Sequence, residues 1–132
     1  MVVLVGNLQV EPVALDFLVL EFGWSFKTVG SLALLRELSA THKLVSVLFS
    51  PKDLNLPWDR ALRGVLASAP GALPILCHGF TETIDWPQAA EAGAFHSLLL
   101  PFDLPEVRQS LGFVRSAKAG AESGVLHSSV RA

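Results

Sequence analysis

Residues 92–102 form the stretch AGAFHSLLLPF, from which a succession of structural elements can be predicted. Gly93 is typical of a residue that ends a helix, and the run Phe95–Leu99 has the apolar character of a buried strand. Pro101 cannot continue a strand inside a sheet. The segment 103–106 then combines the capping residue Asp with a proline in the first helical turn. The stretch therefore predicts a helix, a core strand and a second helix in succession.

The same alternation of apolar runs and helical patterns occurs along the whole chain. It predicts strands at Val2–Val5, Trp24–Val29, Val45–Phe49, Leu73–Cys77 and Phe95–Leu99, and helices at Pro12–Phe22, Ser31 to about Lys43, Asp59–Ala67, Asp85 to Gly93 and Asp103 to about Ala117. Strands that stay apolar on both sides are typical of a parallel sheet covered by helices on both faces. The predicted fold class is therefore α/β, a flavodoxin-like, doubly wound (βα)5 parallel sheet with the strand order 2-1-3-4-5.

The length and composition of the chain predict one domain with excess apolar surface. A chain of 132 residues suits a single domain. We place that domain at residues 1–118 and expect a flexible C-terminal tail at 119–132, where the residues are small or polar and show no periodicity. Hydrophobic residues make up 51% of the chain and charged residues 17%, and this low charge content favours a surface for self-association or for a partner.

The charge pattern and the single cysteine exclude several classes of function. A net charge of −2 with ten scattered Lys and Arg residues predicts no nucleic-acid partner. No apolar run reaches the roughly 18 residues that a membrane span needs, and the start of the chain carries no pattern of a secretory signal. Cys77 is the single cysteine, which excludes an internal disulfide and leads us to expect a cytoplasmic location.

Three segments, in this order and at this spacing, resemble the receiver domains of bacterial response regulators, the CheY-like superfamily. They are Gly6-Asn7, Pro74–His78, and the stretch Ala92–Ala94 that leads to Pro101-Phe102. The resemblance covers about residues 1–117 and implies the fold given above, with a cis peptide bond before Pro101. In such receivers, an acidic pair after the first strand holds Mg²⁺ and an aspartate after the third strand accepts a phosphoryl group. A Thr or Ser after the fourth strand and a Lys after the fifth respond to it.

This chain departs from the receiver pattern at the positions that carry the chemistry. Gly6 and Asn7 stand at the place of the acidic pair, Leu100 replaces the lysine, and His78 takes the Thr or Ser position. Together with Pro101, these residues are expected to line a crevice at the end of the sheet. Mg²⁺ requires carboxylate oxygens, and phosphoryl transfer requires cations that neutralise its charge. The resemblance therefore implies the frame of a receiver without its phosphotransfer chemistry.

The position of the phosphoryl acceptor has three candidates. Spacing along the chain favours Ser50 or Phe49, whereas the local pattern Asp-x-x-x-Pro favours Asp53. Pro51 cannot lie inside a central strand, so we expect the third strand to stop at Ser50. In extended chain, Asp53 would then lie up to about 10 Å beyond the strand end.

We hypothesise that the chain is a pseudo-receiver, a signalling module that acts through protein contacts without phosphorylation and is not an enzyme. One alternative is a divergent receiver that is phosphorylated at Asp53 in a two-component phosphorelay. A second is a small hydrolase-like enzyme that uses Cys77 and His78, although neighbouring residues on a strand point to opposite faces. No metal site is expected, since His96 should lie roughly 10–13 Å from His78. No cofactor is expected either, because no glycine-rich phosphate loop occurs.

Aromatic residues of the fourth helix, the fifth strand and the fifth helix suggest where a partner binds. Trp86, Phe102 and Phe113 lie in or beside these elements, a surface that in receivers commonly serves dimerisation. We expect a homodimer or a protein partner at this face. The other interpretation is that these aromatic residues belong to the core.

Overall fold

The computed structural model of the protein describes the backbone of residues 1–131 and the side chains of residues 1–120. The elements are β1 Val2–Val5, α1 Pro12–Phe22, β2 Phe26–Val29, α2 Leu32–Thr41, β3 Ser46–Phe49, α3 Trp58–Ser68, β4 Leu73–His78, α4 Trp86–Glu91, β5 His96–Leu99 and α5 Leu104–Arg131. Over these residues, the strands form one parallel sheet in the order β2-β1-β3-β4-β5. The predicted flavodoxin-like sheet and its strand order are confirmed.

The sheet separates two apolar layers, because successive side chains of a strand point to opposite faces. From β1, Val3 and Val5 pack with the residues of α2, α3 and α4. Val2 and Leu4 pack on the other face, with α1 and α5. Both β1 and β3 are buried along their whole length, which explains why β1 is apolar throughout and β3 is apolar apart from Ser46.

Two helices begin at the capping residues that the sequence predicts. The Ser31 side chain accepts a hydrogen bond from the N–H of Leu34 at 3.2 Å, and Asp85 accepts one from the N–H of Gln88 at 3.2 Å. Each bond satisfies a backbone donor in the first turn, which has no partner within its own helix. The sequence pattern therefore predicted the starts of α2 and α4 correctly.

Several element bounds differ from the sequence-based prediction, and two of them, the start of β2 and the end of α5, have an identifiable cause. Strand β2 begins at Phe26 rather than Trp24, because the Trp24 ring stacks on Phe22 of α1 at 5.2 Å between centroids instead of joining the sheet. Helix α5 continues to Arg131, past the expected end near Ala117. No proline follows Ala117, and glycine alone weakens a helix without stopping it. The flexible tail predicted at 119–132 lies largely outside the residues whose side chains are described, and it stays a prediction.

None of the helices in the described part of the chain combines the length and the apolar character that crossing a bilayer requires.

Candidate functional site at the carboxyl edge of the sheet

The carboxyl ends of β1, β3 and β5 open onto a crevice of about 360 Å³. Parallel strands bring these ends to one edge of the sheet, the usual position of ligand sites in open α/β folds. Among the residues predicted for this site, Asn7, Ser50, Leu100 and Pro101 line the crevice. The structure therefore brings together side chains that lie more than ninety positions apart in the sequence.

Gly6 is the residue on which the packing of the crevice depends. Its backbone φ is +107°, and a Cβ atom added here would lie 2.9 Å from the Cβ of Asp53. Side chains avoid both this backbone region and a contact of this length. Glycine at position 6, where a receiver carries an acidic residue, thus lets the side chain of Asp53 lie directly against the end of β1.

The loop between β3 and α3 turns Asp53 back toward the sheet. The N–H of Asn55 donates to the carbonyl of Lys52 and the N–H of Leu54 to that of Pro51, each at 3.1 Å. The N–H of Asp53 lies 3.5 Å from the hydroxyl oxygen of Ser50. Asp53 therefore lies well within the limit of about 10 Å that an extended chain would allow, because these bonds make a compact turn.

The three candidates for the acceptor position have different environments. Phe49 is fully buried in the core between the sheet and α2–α4. Ser50 follows it at the strand end, and its N–H donates to the carbonyl of Val5 at 3.4 Å. Ser50 and the exposed Asp53 both line the crevice. The crevice therefore offers a hydroxyl and a carboxylate, while Phe49 contributes only to packing.

The β5 side of the crevice is apolar. The peptide bond between Leu100 and Pro101 is cis, as the resemblance to receivers implies. The N–H of Leu100 donates to the carbonyl of His78 at 2.7 Å, which fixes Leu100 beside the end of β4. A lysine at this position would bring an ammonium group to the crevice, and Leu100 brings a hydrocarbon chain instead.

His78 does not line the crevice in the described structure, contrary to the sequence-based expectation. Its Nδ1 lies 3.3 Å from the carbonyl oxygen of Gly79, the next residue in the chain. The expectation rested on the distance along the sequence from Leu100, which sets the position of the backbone and not the direction of the ring.

The thiol of Cys77 is buried and is not activated. Its side chain is fully covered in the layer of α1 and α5, and its Sγ lies 3.8 Å from the carbonyl oxygen of Ile75. Burial raises the pKa of the thiol, and the negative charge of Asp53 raises it further. A thiol that stays protonated is a poor nucleophile.

Two charged residues of the crevice were missed by the sequence analysis. Lys52 and Glu82 line it, and the Glu82 carboxylate accepts a hydrogen bond from the N–H of Gly79. Both follow a strand closely, Lys52 after β3 and Glu82 after β4. A charge soon after a strand that ends at this edge is the signal that could have identified them.

The donor set of the crevice does not fit a Mg²⁺ ion held as in receivers. The end of β1 contributes the amide of Asn7 and no carboxylate, because Gly6 has no side chain. Within the described residues, no group of three or more His, Cys, Asp or Glu side chains could hold a metal ion. His96 pairs with Ile75 across the sheet, whereas His78 pairs with Leu99, so the two histidines lie three residue steps apart along the strands.

The aromatic residues predicted as an interface lie in two places. Trp86 and Phe113 are partly exposed, and the Phe113 ring meets the ring of His96 edge-on at 5.6 Å between centroids. The hydroxyl of Ser110 lies 2.8 Å from Nδ1 of the same histidine. Phe102 is half-buried in the loop after β5 and lines the crevice.

Comparison with solved structures identifies the fold. The structure is similar to a response regulator receiver domain protein of Clostridium thermocellum, with 20% sequence identity, a TM-score of 0.66 and coverage of 89% of this chain and 95% of that one. A CheY-like receiver domain protein of Methanospirillum hungatei JF-1 has 16% identity and a TM-score of 0.65, with coverage of 89% and 95%.

A third similar structure contains a bound metal ion. The receiver domain of the sensor histidine kinase PA1611 of Pseudomonas aeruginosa PAO1 has 17% identity and a TM-score of 0.55, with coverage of 82% of this chain and 91% of that one. That protein holds a magnesium ion in its active site cleft. No family model and no curated protein matches the sequence. On its strand order and these similarities, the chain has the fold of a CheY-like response regulator receiver domain.

Proposed function

We propose that this chain is a signal-transduction module with the receiver fold that acts through protein–protein contacts and without phosphorylation. The observation that carries the proposal is the composition of the crevice. Gly6 and Asn7 follow β1 and Leu100 follows β5, so the end of β1 has no carboxylate and the end of β5 has no cation.

A phosphoryl group that moves to an aspartate needs a divalent ion and a cationic side chain to neutralise its oxygens. Leu100 provides no charge that could draw a loop toward a phosphorylated residue. A module with this crevice transmits a signal through the partner that it binds or through its own abundance.

The test is incubation with acetyl phosphate and Mg²⁺, followed by intact-mass spectrometry. We expect no species heavier by one phosphoryl group in the wild type or in the matched control Asp53→Asn. A stoichiometric gain in the wild type that is absent from Asp53→Asn would overturn the proposal.

A second candidate function is phosphorylation at Asp53 in a phosphorelay. Two observations favour it: Asp53 lies against Gly6 at the end of β1, and Lys52 lines the same crevice. If this candidate is correct, the same incubation phosphorylates the wild type, and Lys52→Ala lowers the rate because an ammonium group near the acceptor is lost.

We propose further that the exposed edge formed by α4, β5 and α5 takes part in self-association. Trp86 and Phe113 give this edge partly exposed aromatic surface, which is enriched in interfaces. Size-exclusion chromatography with light scattering at low micromolar concentration should show a dimer. Phe113→Asp should yield a monomer, whereas Leu34→Asp, at an exposed apolar position of α2, should leave the dimer intact. A monomeric wild type would contradict this proposal.

An enzymatic role for Cys77 and His78 is not part of the proposal. The fully buried thiol with a raised pKa supports a structural role for Cys77, and a buried reduced cysteine agrees with a cytoplasmic location. Iodoacetamide should modify Cys77 in denaturant and leave it intact in the native protein. Rapid modification of the native protein at neutral pH would revive the enzymatic alternative.

A further inference from the structure

The crevice at the carboxyl edge of the sheet is lined by charges of both signs that are not joined in ion pairs. Lys52 and Asp53 come from the loop after β3, and Glu82 comes from the loop after β4. Among the residues with described side chains, the one ion pair joins Arg108 to Glu21. The ammonium group of Lys52 therefore pairs with neither carboxylate, although all three charged groups line the same cavity.

The residues that follow β5 form an apolar wall of the same crevice. Leu100, Pro101 and Phe102 line it, and Leu100 and Phe102 are half-buried. Leu8, from the loop after β1, adds a fourth apolar side chain. In small-molecule sites, side chains of this kind hold the hydrocarbon part of a ligand while a few polar groups fix its orientation. The crevice therefore combines a charged part, after β3 and β4, with an apolar part, after β5.

The neutral polar groups of the crevice can complete the hydrogen bonds of a charged ligand. Asn7 and Gln9 have amide groups that donate and accept, and Ser50 has a hydroxyl group. Glu82 accepts the N–H of Gly79 through one carboxylate oxygen, which leaves the other oxygen available. The volume of about 360 Å³ is near the lower end of the range of small-molecule sites, which suits a ligand of amino-acid size.

The charged lining disfavours a ligand that carries charge of one sign only. An anion would meet the carboxylates of Asp53 and Glu82, and a cation would meet the ammonium group of Lys52. Like charges that are brought together at a binding site cost free energy. A molecule with one ammonium and one carboxylate group can instead place each group against the opposite charge, in charge-assisted hydrogen bonds. The crevice therefore favours a zwitterion with an apolar part.

We propose that the crevice binds a free amino acid with an apolar side chain. Asp53 and Glu82 hold its ammonium group, and Lys52 holds its carboxylate. Leu100 and Phe102 contact its side chain. This inference rests on the proposed function, because it names the ligand that a module without phosphorylation would receive at the same crevice. Leucine at position 100, where receivers have a lysine, then supplies an apolar contact to the ligand.

The first experiment compares amino acids with analogues that lack one charged group, by isothermal titration calorimetry. L-Phenylalanine is compared with phenylpropionate, which lacks the ammonium group, and with phenylethylamine, which lacks the carboxylate. L-Leucine is compared in the same way with isocaproate and isoamylamine. At least one amino acid should bind, and it should bind at least about tenfold more tightly than both of its analogues.

Two results of this experiment would overturn the proposal. An analogue that binds as tightly as its amino acid would assign the crevice to a simple anion or to an organic cation. The other result is the absence of saturable binding by both amino acids up to roughly 10 mM.

The second experiment tests each charged residue against the ligand group that it should hold. Asp53→Asn and Glu82→Gln should each weaken binding of the amino acid about tenfold without weakening binding of its acid analogue. Lys52→Gln should weaken binding of the amino acid by a similar factor without weakening binding of the amine. Asp59→Asn and Arg63→Gln, at exposed positions of α3, should bind as the wild type does. Equal losses for the amino acid and both analogues would indicate a general structural effect and overturn the proposal.

The apolar part of the crevice is tested at Leu100. Leu100→Lys should weaken binding of the amino acid at least about tenfold, because an ammonium group replaces an apolar contact. Leu100→Met, which nearly conserves volume, should retain binding. Circular dichroism checks that each variant is folded. Normal binding by a folded Leu100→Lys variant would overturn the proposal.

The calorimetric titrations and the phosphorylation experiment have separate outcomes. The titrations contain no phosphoryl donor, and the incubation with acetyl phosphate contains no amino acid. Absence of amino-acid binding would therefore overturn this inference and leave the acetyl phosphate result as it stands. Phosphorylation of Asp53 would refute the proposed function, while the titrations would still report whether the crevice binds an amino acid.

Discussion

Helices α1 and α3 have eleven residues each and cover opposite faces of the same sheet, yet they present opposite surfaces to solvent. Helix α3 buries Ala61, Leu62 and Val65 and exposes the charged residues Asp59, Arg60 and Arg63. Helix α1 buries Leu18 and Phe22 and exposes Val13, Phe17 and Leu20. Helix α3 therefore has all of its apolar side covered by the domain, whereas α1 has the composition of a helix that is covered on both sides.

Of these predictions, the greatest change in the free energy of unfolding should come from truncating a side chain of α3, compared with one of α1. Leu62→Ala on α3 should lower the free energy of unfolding by about 2–5 kcal/mol, because it leaves a cavity in the core. Phe17→Ala on α1 should change it by less than about 1 kcal/mol, because the ring contacts mainly solvent. Urea denaturation followed by circular dichroism measures both. Equal losses would show that α1 is as well packed as α3.

The sequence predicted the fold because the central strands β1 and β3 are apolar apart from Ser46, and because helices start at clear capping residues, as at Ser31 and Asp85. It could not predict the position of Asp53, which depends on backbone hydrogen bonds in the turn after Pro51 and on the left-handed backbone of Asn55. Nor could it distinguish the exposed side of α1 from the buried side. Both sides are apolar, so the apolar residues of this helix show little 3.6-residue periodicity.

The loop before α1 and the loop before α3 meet at Gly6 and Asp53. Substituting Gly6 tests how much this contact contributes to stability. Gly6→Ala should lower the free energy of unfolding by about 1–3 kcal/mol, because its backbone φ of +107° disfavours a side chain. The contact with Asp53 adds to this cost. Thermal and urea unfolding measure the loss.

The matched control is Gly23→Ala at the end of α1. Gly23 also has a positive φ, +71°, but an added Cβ meets nothing within 4 Å. The difference between the two variants reports the contact with Asp53 together with the less favourable φ of Gly6. If both variants lose the same free energy of unfolding, the close approach of Asp53 to Gly6 does not contribute to stability.

The ion pair that joins α1 to α5 should make the least difference to the free energy of unfolding. The hydrogen bond from Arg108 lowers the pKa of Glu21, so the ionised carboxylate stabilises the folded state. This contribution is present above the ordinary pKa of glutamate and is lost as the pH falls through the lowered value. The stability difference between the wild type and Arg108→Gln should therefore shrink on acidification and on addition of salt.

Arg63→Gln on α3 is the control for this titration. Arg63 is exposed, and the one ion pair found among the described residues joins Arg108 to Glu21. The control should show no pH-dependent difference from the wild type. A difference of the same size in both variants would mean that general charge, and not the ion pair, is responsible.

The packing of Asp53 on Gly6 also sets the order in which the chain could acquire a metal-binding pair. An aspartate at position 6 would occupy the space that Asp53 now fills, so the loop after β3 has to be rebuilt before that substitution is tolerated. An acidic pair at the end of β1 must therefore be introduced by changing residues 51–55 first and position 6 afterwards. The single change Gly6→Asp, made first, should yield a destabilised protein.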